Sequence, residues 1–172
     1  MNTLAAAAQI LVAAAFASIP LLRHRFGAVA KAAAVTELQR QGIRPAVLEE
    51  NRLRFDAGGH EWWAPGSFAA ASLTAAALNL AGNPLGTTLT WAFSTLTFLA
   101  NILILQSQLG AVKSVQAAFH RKGDPELARV DVPAFLKAAE DAFPAWTRIL
   151  QNVRHTVVFA GSALALTAAA IA

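Results

Sequence analysis

Six polar side chains, Thr87, Thr90, Ser94, Thr97, Asn101 and Gln108, recur at steps of 3, 4, 3, 4 and 7 residues through an otherwise apolar run, with Ile104 in the missing place. On a helix this spacing gathers them into one stripe with the period of a left-handed helix–helix seam. Hydroxyls and amides in such a stripe have two uses. They can hydrogen-bond to a neighbouring helix, each bond contributing about 0.6–2 kcal/mol in lipid, or they can line a polar cavity. Gln9 and Asn79, isolated amides in two other apolar runs, are positioned to meet the same stripe.

Acid–base chemistry has one candidate, the neighbours His60 and Glu61 in "HEWWAPGSF". A single His beside a single Glu is a weak signal for proton transfer. The tryptophans that follow, Trp62 and Trp63, stand just before an apolar run with Pro65 near its start, the placement of an interfacial anchor. Arg23, Arg25 and Trp146 flank other apolar runs in the same way, and the two arginines can contact anionic lipid. The remaining histidines, His24, His120 and His155, make no i, i+3 or i, i+4 pair, and cysteine is absent. His24 and His155, near the ends of the first and fourth helices, could bridge a haem or metal by geometry alone, but solvent or headgroup contact is the expected role; a disulfide framework and a thiol nucleophile have no support. No phosphate-binding loop, dinucleotide glycine pattern or zinc motif occurs. No catalytic, cofactor-binding or metal-ligating residue is assigned, and an enzyme reading rests on His60 and Glu61 alone.

The elements that must carry these residues follow from where the charges lie. The chain is 56% hydrophobic and 14% charged, against about 25% charge in soluble domains. Every Lys, Arg, Asp and Glu falls in one of two blocks, 23–61 and 113–154, each with seven cations and five anions. A helical span needs about 20 predominantly apolar residues, and four runs qualify, near 4–22, 67–82, 85–107 and 156–172. The second is short and alanine-rich. "AGNPLG" leaves room only for a tight turn between the second and third. Both charged blocks then share one side, and the Lys/Arg bias places that side in the cytoplasm. The expected fold is an all-α integral membrane protein, residues 1–172 forming a single membrane domain. Its four transmembrane helices form two hairpin units with both termini outside. The cytoplasmic segments, 23–66 and 108–155, carry helical extensions. Ala14–Ser18 resembles a signal-peptidase site, but no basic region precedes it and cleavage would place the first basic block outside. An uncleaved first helix is expected. High alanine without cysteine or tyrosine suggests a bacterial protein of the cytoplasmic membrane.

Gly27-Ala28-Val29 and Gly110-Ala111-Val112 open two similar stretches 83 residues apart. Each lies in good helix formers and runs to a Gly, at 42 and 123, with Pro soon after. This predicts two inward helices of about 35 residues, roughly 50 Å long at 1.5 Å per residue. Further helix starts are expected at Asp131–Pro133 and near Pro144. Duplication of a hairpin and similarity by composition alone both remain open.

Size and span count are similar to those of the small four-helix membrane enzymes of glutathione and eicosanoid metabolism. The third span carries no Arg and the second cytoplasmic segment is too long, so the chain is not assigned to them. The absence of ionisable groups at mid-span argues against a pump or ion-coupled transporter acting alone. The expected function is a non-catalytic accessory or assembly subunit of a larger membrane complex. Its partners would be other integral membrane subunits or further copies of itself, and lipid; nucleic acid is not expected. The alternative is a homo-oligomeric channel or lipophile-handling protein whose working surface is the third-helix seam.

Overall fold

The computed structural model describes residues 2–55 and 58–171, and the side chain of His60 lies outside that description. Among the described residues every regular element is helical: α1 (Asn2–Arg40), α2 (Val47–Glu50), α3 (His60–Leu80), α4 (Pro84–Leu109), α5 (Ala111–Lys122), α6 (Pro125–Ala128), α7 (Val132–Asp141) and α8 (Trp146–Ala170). Three of them, α1, α4 and α8, are long and apolar enough to cross a membrane, as befits a helical membrane protein. The expected second span is present as the helix α3 but is not among the helices long and apolar enough to cross a membrane. Trp62, Trp63, Pro65, Gly66 and Asn79 dilute it, and its many alanines supply one methyl group each.

Helix ends follow local chemistry. At the end of α1 the Ile43 N–H donates to the Leu38 carbonyl (2.9 Å) and the Gly42 N–H to that of Gln39 (2.9 Å). This is the Schellman pattern, with Gly42 at φ 71° supplying the left-handed residue and Leu38 meeting Ile43 in the core. The expected stop at Gly42 is therefore found, as is the left-handed Gly123 closing α5. The second of the two expected long helices differs from expectation. It does not run unbroken to residue 122: Gly110, at φ −92° and ψ 0°, separates α4 from α5. Gly27, in the matching tripeptide, sits inside continuous α1. The same Gly-Ala-Val thus serves as helix interior once and as a break once. Asp131 caps α7 by accepting from the Ala134 N–H at 3.0 Å, with Pro133 in the first turn. Asp124 caps α6 in the same way.

The chain forms two compact units. The first comprises residues 1–21, 58–105 and 148–172. Its apolar centre is Val12, Ala13, Phe16, Ala69 and Val158, with Phe68 and Ile104 packed against it and Phe16 stacked on Phe68 at 5.1 Å. Gly161 lets α8 approach α1 closely, since a Cβ there would stand 2.8 Å from Val12 Cγ2. The second unit comprises residues 22–57 and 106–147. It holds a larger cluster built on Leu38, Ile43, Val47, Leu48, Phe119, Val132 and Phe135. Polar ties surround that core. Arg44 grips Glu126 through its backbone N–H (2.9 Å) and its guanidinium (2.8 Å), and Gln41 exchanges two hydrogen bonds with the Asp131 backbone.

Candidate functional site

The polar stripe of α4 faces inward in the first unit. Thr90, Ser94, Thr97 and Asn101 are buried, while Trp91, Leu96, Leu99 and Leu103 on the opposite face are exposed, Leu103 by 66%. A helix in water shows the reverse arrangement, burying leucine and exposing hydroxyls and amides. Thr87 is half-buried at the margin of the stripe, and Gln108 belongs to the second unit.

Two groups of hydrogen bonds close over the buried residues. In the first, Gln9 Nε2 donates to Thr90 Oγ1 (2.8 Å), and Asn79 Nδ2 donates to both Gln9 Oε1 (3.0 Å) and Thr90 Oγ1 (2.9 Å). The Thr90 hydroxyl passes its own proton to the Gly86 carbonyl at 2.7 Å. The two isolated amides of the sequence therefore meet the stripe at one point, joining α1, α3 and α4. Gly86 makes room for this: a Cβ there would lie 2.6 Å from Asn79 Oδ1 and 2.8 Å from the Asn79 backbone N. In the second group, Asn101 Oδ1 lies 2.9 Å from His155 Nδ1, and Asn101 Nδ2 reaches the His155 carbonyl at 3.5 Å. With the amide nitrogen spent on the carbonyl, the ring Nδ1 carries the proton and donates to Oδ1. Ser94 and Thr97 lie buried on the same face between the two groups.

The buried His155 was legible in the sequence only as a histidine near a helix end. Its signal would have been the seam itself, because Asn101 requires a partner. The other expected residues lie elsewhere. Trp62 and Trp63 are exposed at the start of α3, Trp63 by 77%. In the second unit Arg25 lies over the Phe26 ring at 5.6 Å, and Trp146 meets the same ring edge-on at 6.1 Å. Arg23 donates to the Arg54 carbonyl at 3.0 Å. Glu61 accepts from the Gly58 N–H at 3.2 Å ahead of α3; its proposed acid–base neighbour His60 lies outside the described side chains. Among the described residues no three His, Asp or Glu side chains converge on a metal-sized site.

Electrostatic perturbation is concentrated in the second unit. Hydrogen bonds from Arg40 and Gln41 hold the Glu37 carboxyl down to about 2. Glu126 is likewise held below the usual carboxylate range by Arg44, whose own guanidinium is raised in turn. These are structural ion pairs around a core; they bring no reactive group to a cleft. No protein-family model, no curated protein and no solved structure matches the chain.

Proposed function

We propose that the chain is a four-span protein of a bacterial cytoplasmic membrane, acting as a non-catalytic accessory or assembly subunit of a larger membrane complex. The observation that carries this reading is the reversed polarity of α4. Its hydrogen-bonding groups are turned inward onto Gln9, Asn79 and His155, and its leucines outward. Polar groups spent on one another hold helices together; the outward leucines are suited to lipid or to other transmembrane helices. The alternative, a channel or lipophile carrier lined by the seam, asks the same groups to face a lumen. Their mutual hydrogen bonds favour the first reading.

Helix direction supports a fourth crossing. Gln9 of α1 meets Thr90 of α4, and further along α1 Phe16 and Ile19 share a cluster with Ile104 of α4, so these two helices run the same way. Two spans running the same way need a return crossing between them. The intervening α3 touches α1 at two points in antiparallel order, through Asn79 with Gln9 and Phe68 with Phe16. With α3 as the return, both charged blocks share one side, assigned to the cytoplasm by their cations, and both termini face out. Since the chain has no cysteine, single-cysteine labelling tests this directly. Asn83→Cys should react from outside intact cells and Lys137→Cys only after permeabilisation; the opposite pattern refutes the topology.

The functional reading is tested by native mass spectrometry of protein extracted gently from its own membranes. A fixed complex with larger subunits supports it. A symmetric homo-oligomer, or a lone protomer, overturns it.

A further inference from the structure

We propose that the second unit binds a phosphate-type oxyanion in the cavity of about 450 Å³ lined by Lys31, Leu48, Glu49, Arg52, Leu53 and Arg54. The inference stands apart from the subunit reading, because it concerns other residues and a different kind of ligand.

The first argument is a backbone one. The turn after α2 repeats the pattern that ends α1: the Arg52 N–H donates to the Glu49 carbonyl (3.0 Å) and the Leu53 N–H to that of Leu48 (2.8 Å). Arg52 therefore holds the place that Gly42 holds after α1, at φ 54°. The positive-φ positions at 42, 59, 82 and 123 are all glycine, and Arg52 is the one side-chain-bearing residue in this conformation among those described. An L-residue there is strained; such strain persists only where the surrounding structure holds it, and strained positions cluster at ligand sites.

The second argument is charge. Among the described residues, three cations line the cavity against a single carboxylate, Glu49, which pairs with Lys31 at 3.3 Å. Among the described residues, Arg52 and Arg54 make no side-chain hydrogen bond or ion pair. Their backbone is nonetheless tied down. The Arg54 carbonyl accepts from Arg23 (3.0 Å), the Asn51 side chain accepts from Lys122 (2.6 Å), and Leu53 packs on the core. Two guanidinium forks held on a fixed backbone suit the paired oxygens of a phosphate group. An arriving dianion would also compete with Glu49 for Lys31. The same chemistry is offered by a soluble phosphate ester and by a phospholipid headgroup.

The test uses the full-length protein in neutral detergent with two probes: inorganic phosphate by titration calorimetry and phosphatidylglycerol by native mass spectrometry. Arg52→Gly keeps the backbone conformation and removes one fork; Arg54→Gln removes the other. Each should weaken the bound probe at least tenfold, while Lys113→Gln, a change of equal charge elsewhere in the unit, leaves it unaltered. Binding of inorganic phosphate with this pattern assigns a soluble ligand. Binding of phosphatidylglycerol alone assigns a headgroup. The proposal is overturned if neither probe binds, if both arginine variants bind as the wild type does, or if Lys113→Gln costs as much as they do.

Discussion

Gly86→Ala is the most incisive perturbation of the buried seam. The added Cβ would stand 2.6 Å from Asn79 Oδ1, 2.8 Å from Asn79 N and 3.0 Å from the Leu78 carbonyl carbon. A side-chain amide can swing away from such a contact; backbone atoms of α3 cannot, so α3 and α4 must separate at their turn. Forcing a methyl group into a packed site costs about 1–3 kcal/mol. Separation also stretches the two bonds from Asn79 to Gln9 and Thr90, each contributing about 0.6 kcal/mol. The expected loss is about 2–4 kcal/mol. It would be measured by titrating the purified protein in mixed micelles with a denaturing detergent, following tryptophan fluorescence, for which Trp91 on α4 is a local reporter. A double-mutant cycle with Asn79→Ala should show a coupling of about 1 kcal/mol, since only the amide part of the clash is relieved. Wild-type stability in Gly86→Ala, within about 0.5 kcal/mol, would refute the close approach and with it the geometry of the seam.

Ser162 is fully buried on α8 and, among the described residues, its hydroxyl has no hydrogen-bond partner; Ser162→Ala should raise stability by about 1 kcal/mol in the same assay, and a loss of that size would mean the hydroxyl is engaged. Asn101→Leu strands the buried His155 N–H and should cost about 1–3 kcal/mol while leaving the ion permeability of protein-loaded vesicles unchanged; altered permeability with unchanged stability would favour the channel. Acid should loosen the second unit. The depressed Glu37 and Glu126 carboxyls contribute stability that is complete above their ordinary value of 4.5 and is lost as pH falls below it, toward about 2 for Glu37. Glu37→Gln should flatten that part of the stability–pH curve, and an unchanged acid limb would show that the Arg40 and Gln41 bonds do not matter to folding.

Much of the fold could be read from patterning because each feature has a local cause. The stop at Gly42 and the left-handed Gly123 follow from glycine's freedom at positive φ, and the start of α7 from Asp131 and Pro133. The stripe from Thr90 to Asn101 followed from its spacing, and the two lone amides, Gln9 and Asn79, pointed to it because buried amides need partners. Contacts across long sequence separations were hidden. The shared Gly-Ala-Val does not by itself distinguish Gly27 within a helix from Gly110 at a break. The pairing of Arg44 with Glu126, 82 residues apart, is equally silent, as is the strained Arg52, whose conformation depends on how α2 is anchored.

The Gln9–Asn79–Thr90 junction also has a consequence in time. Its members are separated by 11 residues between Asn79 and Thr90 and by 81 between Gln9 and Thr90. As the chain emerges from the ribosome, Gln9 and Asn79 are both made before the hydroxyl that accepts from them. Closing the short loop from Asn79 to Thr90 costs about 2 kcal/mol less than closing the long one, but the junction is complete only once α4 has been made. A chain that ended before α4 would leave both amides without the Thr90 hydroxyl that accepts from them.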